Sequence, residues 1–336
     1  MKPNERTILV TGGAGYVGSR LVPILLSAGY KVRVLDTCWY GVPEFEEQYS
    51  SGNFSLIVGD IRDPKAISEA LSGATDVIHL ACISNDPSYD LDPDLGKSIN
   101  LDAFVPLVRK SKDEGVGRFI YASSSSVYGV KKEHEVTENL ALEPLTDYSK
   151  FKAECEVELS NLSEPGFVTT VLRPATICGP ASRQRMDLTV NLLTNHAVNT
   201  GTIRVFGGDQ YRPNLHIEDM CRAYIEVLSQ PAEKIDGQIF NVGTDNLTVY
   251  EIAKLVQANV GKDTKLSVES TPDNRSYRVS SKLIEEKIGF VPKFTVTDAI
   301  RDLIDWFDRG LFPNSLTDPR YFNIARMQEV IPGLQK

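Results

Sequence analysis

Residues Thr7–Gly18 read TILVTGGAGYVG: a short β-branched, apolar run that passes directly into Gly12, Gly13, Gly15 and Gly18. A helical pattern follows over Gly15–Ala28. Gly13, Gly15 and Gly18 fit G-x-G-x-x-G, and Gly12, Gly15 and Gly18 fit G-x-x-G-x-x-G. Such glycines let the backbone turn tightly and approach a pyrophosphate, whose charge then rests at the helix N-terminus. An isolated match reads equally well as a plain glycine-rich turn, so the surroundings decide.

Further acidic and small residues stand where a dinucleotide needs them. Asp36 ends a second strand-like run, Lys31–Leu35, roughly 20 residues after the glycines, where a carboxylate accepts hydrogen bonds from a ribose diol. The same carboxylate repels a 2′-phosphate, which favours NAD over NADP. GDIRD (Gly59–Asp63) ends a third run, Phe54–Val58, and HLAC (His79–Cys82) ends a fourth, Val77–Leu80. The expected NAD cradle is Gly12, Gly15, Tyr16, Val17 and Gly18, with Asp36, Asp60 and Ile61 toward the adenosine and Leu80, Ala81 and Cys82 beside the path of the cofactor.

Two more runs, Arg118–Ala122 and Val168–Leu172, continue the series. Helical patterns at Pro64–Leu71, Ala103–Lys112 and Tyr148–Leu159 lie between the runs. Short buried strands alternating with helices read as an α/β fold, a doubly wound parallel sheet of Rossmann type. After about Thr176 the pattern loosens, with loop signals such as GPASRQR and FGGDQYRPN among short helices. The expected division is a nucleotide-binding domain over 1–175 and a mainly substrate-binding lobe over 176–336. One later strand, Gln238–Val242, returns to the sheet.

Bulk properties narrow the classes of function. A chain of 336 residues with 41% hydrophobic and 24% charged residues can bury a substantial core. Its net charge of -9 argues against a nucleic-acid partner. No apolar run nears the roughly 18 residues of a membrane span, and MKPNERTILVTGG does not read as a signal peptide. Five scattered cysteines and four distant histidines give neither a disulfide framework nor metal-ligand spacing. The expectation is a cytoplasmic protein without a metal.

The candidate chemistry lies at RFIYASSSSVYG (Arg118–Gly129) and LTDYSKFKAE (Leu145–Glu154). Tyr148 and Lys152 are four residues apart and share a helical face. A phenol titrates near about 10, and a neighbouring ammonium together with a cationic nicotinamide favours the phenolate. It can then take a proton from a sugar hydroxyl while hydride leaves the carbon. Lys152 can also hold the nicotinamide ribose, and a hydroxyl of the serine run can share the substrate oxygen. Tyr128/Lys132 and Tyr250/Lys254 match the same spacing. The first pair reads as a solvated loop because Gly129 and KKEHE follow. The second reads as amphipathic packing on a helix capped by Thr248.

Taken together, TGGAGYVG, Asp36, GDIRD, HLAC, SSSSVYG, Tyr148-x-x-x-Lys152, LRPATICGP and RPNLHIEDM resemble, in order, the extended short-chain dehydrogenase/reductases of the nucleotide-sugar epimerase/dehydratase group. The resemblance implies that Ser124 is the catalytic hydroxyl and that Asn100 supports the active-site backbone near the cofactor. It implies that Arg212 binds the substrate diphosphate, with Arg275 near the same group. It also implies a homodimer built through a four-helix bundle from the helices at Ala103–Lys112 and Tyr148–Leu159. Ser125 and Ser126 occupy the positions of the Asp-Glu pair of 4,6-dehydratases, which argues against dehydration, and a decarboxylating branch keeps a Glu where Ser126 stands. No cysteine of the kind used by 3,5-epimerases lies near the serine strand. Thr176 replaces a usual Asn, and Asp187-Leu188 replaces an Asn-Leu pair. The segment Ala181–Asn191 resembles a branch that includes dehydrogenases of nucleotide-linked heptoses.

Ser84, Ser125, Thr176, Arg185, Leu188, Arg212 and Arg275 are therefore the expected contacts of a nucleotide-diphosphate sugar. The plain alternative for Arg183/Arg185 and Lys131/Lys132 is solvated surface charge, and for His216 a packed core position. The leading expected function is C4 epimerisation through a transient 4-keto sugar. Net oxidation or reduction at C4 is the second, and an NAD-binding regulatory protein without turnover is the third.

Overall fold

A computed structural model describes residues 2–43, 52–84, 86–261, 263–270 and 276–334. Seven strands form one sheet: β1 (Thr7–Thr11), β2 (Lys31–Asp36), β3 (Phe54–Val58), β4 (Asp76–His79), β5 (Arg118–Ala122), β6 (Val168–Pro174) and β10 (Gln238–Val242). Their order is β10-β6-β5-β4-β1-β2-β3, and every pairing is parallel. Chain direction across the sheet reverses between β1 and β4, so the crevice for a ligand opens at their carboxyl ends.

Alternation along the strands feeds two cores. Ile8 and Val10 point to one face, packing with Leu21 and Leu25 of the Tyr16–Ser27 helix and with Met220 and Tyr224 of the Ile217–Ser229 helix. Leu9 points to the other, among Ile67, Phe104, Leu107 and Leu159 from the helices Pro64–Leu71, Phe104–Asp113 and Asp147–Asn161. Both faces are covered, which is why these strands read as continuous apolar runs.

A third core joins the helices Thr189–Thr200, Val249–Val260 and Val296–Asp308 through Leu193, Ile252 and Ile300. These helices run twelve or thirteen residues, longer than the short ones expected after Thr176. YRPN, read in sequence as a loop signal, lies in β9 (Tyr211–His216). That strand sits between β7 (Thr176–Cys178) and β11 (Asp245–Thr248), while β8 (Thr202–Phe206) pairs with β12 (Lys265–Glu269). The chain after Thr176 thus gives the large sheet both β10 and the covering helix Ile217–Ser229. Among the described residues no helix is long and apolar enough to cross a membrane.

Candidate active site

A cleft of about 530 Å³ runs along the carboxyl ends of β1, β2, β4 and β5. Gly12 turns with φ +76°, and a Cβ there would lie 2.6 Å from the Ala81 amide nitrogen. A Cβ on Gly18 would lie 2.5 Å from Gly13 Cα. Side chains at either position would separate β1 from β4 or the helix from its turn. Gly15 caps the Tyr16–Ser27 helix in extended conformation, so the first amides of that helix face the cleft.

Asp36 closes the far side. Its carboxylate accepts from Ala14 N at 3.0 Å and Cys38 N at 2.8 Å, which fixes its orientation. Burial raises its pKa, and the two backbone bonds oppose this. Burial acts likewise on Asp60, but Arg62 outweighs it with a forked ion pair and holds that carboxyl below its ordinary value. A glycine turn opposite a fixed carboxylate, with an amide-bearing helix end between them, fits an adenine dinucleotide.

Tyr148 and Lys152 project into the cleft from the Asp147–Asn161 helix, whose start is fixed by a reciprocal cap between Thr146 and Ser149. Lys152 Nζ donates to Ala122 O at 2.7 Å and lies 5.9 Å from the Tyr148 ring centroid. Ser124 caps the turn Ser125–Tyr128 by accepting from Ser126 N at 3.1 Å, and its hydroxyl lies close enough to the Tyr148 phenol to act on it. Burial, then Cys82 and Asp86, raises the phenol; Arg185 and Ser124 pull it down. In the free protein Tyr148 is therefore a neutral phenol, and the expected bias toward phenolate does not arise from the protein's own groups.

Gly12, Gly15, Tyr16, Val17, Gly18, Asp36, Asp60, Ile61, Leu80, Ala81, Cys82, Ser84, Ser124, Ser125, Tyr148, Lys152, Thr176, Arg185, Leu188 and Arg212 all line this one cleft. Asn100 does not. It lies behind, and its amide clamps Ile83 by accepting from N at 2.8 Å and donating to O at 2.9 Å. It holds the backbone that follows β4 and does not itself line the cleft. Arg275 lies outside the described residues.

Several charged residues are placed otherwise than as surface charge. Arg183 and Arg185 are 6% and 9% exposed. Arg185 pairs with Asp187 at 2.9 Å and reaches Ser84 Oγ at 3.3 Å. The Lys131 side chain is buried and paired with Glu143 at 2.9 Å. Tyr128 is fully buried rather than in a solvated loop, donating to Asn241 Oδ1 at 2.8 Å and accepting from Arg173 at 2.8 Å. His216 packs against Phe294, and Tyr250 is 39% exposed on its Thr248-capped helix.

Of the residues in and behind the cleft, Tyr277 and Asn323 had no local sequence signal. Tyr277 meets Ser125 Oγ at 3.2 Å, and Asp86 accepts from Thr146 Oγ1 at 2.5 Å. Cys82 enters from the β4 end, near enough to act on Tyr148, although the serine strand has no cysteine. Asn323, fully buried on the Asn323–Leu334 helix, donates to Ser84 Oγ at 3.0 Å and accepts from Arg183. Beneath the serine run, Glu156 binds Arg173 through paired bonds and accepts from Ser123 Oγ.

Comparison with known proteins follows the same lines. The model of the NAD dependent epimerase/dehydratase family matches residues 8–243. A UDP-glucose 4-epimerase of Mycolicibacterium smegmatis is 28% identical, with 89% of this chain and 97% of that protein aligned. A dTDP-glucose 4,6-dehydratase of Streptomyces niveus is 26% identical over 89% of this chain and 92% of its own length. The structure of MoeE5 in complex with UDP-glucuronic acid and NAD superposes with a TM-score of 0.80 at 25% identity, covering 90% of this chain and 99% of that one.

Proposed function

This chain belongs to the NAD-dependent epimerase/dehydratase family, and from that premise we propose that it inverts C4 of a nucleotide-diphosphate sugar through a transient 4-keto sugar. Gly12, Gly15, Gly18 and the first amides of the Tyr16–Ser27 helix would hold the NAD diphosphate, with Asp36 at the ribose and Lys152 at the nicotinamide end. NAD bound there supplies a reversible hydride acceptor. Tyr148 takes the proton of the C4 hydroxyl and later returns it, and Ser124 shares the same oxygen. Lys152 is anchored on Ala122 O beside the Tyr148 ring, where it would hold the nicotinamide ribose, and the cationic ring of bound NAD would supply the bias toward phenolate that the free protein lacks.

The relatives include both epimerases and dehydratases. One observation carries the choice: the carboxylates that line the cleft are all engaged as acceptors. Asp36 is held by two amides, Asp60 by Arg62, Asp86 by Thr146 and Asp187 by Arg185. Burial would raise Asp187, but Arg185 outweighs it and keeps that carboxyl below its ordinary value. With Ser125 and Ser126 beside Ser124, the described residues of the cleft offer hydroxyl groups and the Cys82 thiol, and no unengaged carboxylate, to move protons at the sugar. Epimerisation needs one such relay, whereas loss of water needs an additional acid and base.

The test is a panel of UDP-, GDP-, dTDP- and CDP-sugars incubated with the protein and read by NMR. The C4 epimer should form without added coenzyme and without net absorbance change at 340 nm. A stoichiometric rise at 340 nm would reassign the protein to net C4 oxidation. NAD binding without turnover of any sugar would reassign it to a sensor. We also propose that the helices Phe104–Asp113 and Asp147–Asn161 pair with those of a second copy as a four-helix bundle. In support, Val157 is 59% exposed beside a shallow groove with Leu101 and Val105. Sedimentation should then give a dimer.

A further inference from the structure

Arg183 is a buried cation that forms no ion pair among the described residues. Its backbone N donates to Ser19 Oγ at 3.2 Å, in the second turn of the Tyr16–Ser27 helix. From there the side chain reaches Tyr40, with the guanidinium 3.9 Å from the ring centroid, and it donates to Asn323 Oδ1 at 2.6 Å. Its Nε is buried and makes no hydrogen bond. The negative charges that reach Arg183 are at a distance: Asp187 is bound to Arg185, and Asp36 to two amides. Burial lowers the guanidinium to about 10.

A charge taken out of water is normally paired or fully hydrogen-bonded. Arg185, two residues on, obeys this through Asp187. The complement that Arg183 lacks is an anion in the cleft between the start of the Tyr16–Ser27 helix and Tyr40. A planar guanidinium with an open N–H matches phosphate oxygens better than any point charge does.

We propose that Arg183 binds the diphosphate of the NAD coenzyme, supplying from the Ala181–Asn191 segment the second half of a site whose first half is the glycine turn. The inference rests on the coenzyme reading above. Asn323 is the positioning residue, because it binds Arg183 and also Ser84 at the β4 end. The nucleotide sugar also carries a diphosphate, but Ser19, Tyr40 and Asp36 surround Arg183 on the dinucleotide side.

The test is calorimetric titration of the full chain, stripped of copurified nucleotide, with NAD, ADP-ribose, UDP and GDP. Arg183→Met keeps the stem on Tyr40 and removes the charge. It should raise Kd for NAD and ADP-ribose by about tenfold to a hundredfold, the range for a lost charge-assisted hydrogen bond, and leave UDP and GDP unchanged. Arg183→Lys should fall between. Should Arg183→Met not fold, Asn323→Ala should speed NADH release, read by fluorescence after dilution. Unchanged NAD affinity in a folded Arg183→Met protein, or unchanged release in Asn323→Ala where that variant decides, overturns the proposal. So does a loss confined to UDP and GDP, which would assign Arg183 to the sugar diphosphate. If the unaltered chain binds neither NAD nor ADP-ribose, the coenzyme reading itself fails and takes this inference with it.

Discussion

Replacing Glu156 by Met should destabilise the protein far more than replacing Glu156 and Arg173 together. The Glu156 and Arg173 side chains are 3% and 4% exposed. The carboxylate accepts from Arg173 Nε at 3.0 Å and from its terminal nitrogen at 2.5 Å, and it also takes the Ser123 hydroxyl. Glu156→Met therefore strands a guanidinium in the core. Breaking one partner of such a pair costs about 3–5 kcal/mol, whereas removing both leaves no buried charge and is often nearly neutral. For 336 residues unfolding in one step, the single change lowers Tm by about 4–7 °C. Because Ser123 adjoins Ser124, the single variant should also lose turnover at temperatures where it is folded. The assay is urea unfolding of both singles and the Glu156→Met/Arg173→Met double variant, with turnover measured alongside. A single variant costing under about 1 kcal/mol, or a double variant as unstable as the sum of the singles, would refute the reasoning.

Tyr148→Phe should leave coenzyme affinity nearly intact and lower turnover about a hundredfold or more, the usual scale of a lost general acid/base. Tyr250→Phe should be neutral, and Tyr128→Phe should lower stability by about 1–3 kcal/mol by freeing Arg173 and Asn241; comparable turnover loss in a folded form of either would reassign the catalytic phenol. Asp36→Ala should narrow the preference for NAD over NADP, measured by calorimetry; equal affinities in the unaltered protein would remove the basis for the expectation. Burial, aided by Lys152, pushes His79 down to about 3, against about 6.5 in an unfolded chain. The unfolded state then binds the extra proton, so this contribution is complete above about pH 6.5 and is lost as pH falls toward 3. His79→Phe should flatten the fall in urea midpoint over that window by one proton's slope, and parallel curves would contradict it.

What the sequence disclosed follows from the range of the interactions involved. The central strands β1, β4 and β5 were legible because burial on both faces makes them nearly continuous apolar runs, and the glycine turn because Gly12 and Gly18 are demanded by backbone contact. β9 was hidden by Pro213, which lacks the ladder N–H, and by Gly207 and Gly208 just before it. For Arg183 the alternative of surface charge stood because its burial depends on Tyr40 and Asn323, 143 residues before and 140 after it. Tyr128 was misread from Gly129 and KKEHE, whereas its burial comes from Arg173 and Asn241 on β6 and β10. Tyr148 and Lys152 were singled out by a local spacing and Ser124 by the family resemblance, but the bond that anchors Lys152 crosses from the Asp147–Asn161 helix to β5.

Without a carboxylate to carry water away from the sugar, hydrogen leaves C4 and returns to it within one closed cycle. The most direct measurement is the mass and NMR spectrum of the product formed in heavy water from an accepted nucleotide sugar. The product should be an isomer with the mass of the substrate, inverted at C4 and free of carbon-bound deuterium. A product lighter by one water, with deuterium at C6, would contradict it.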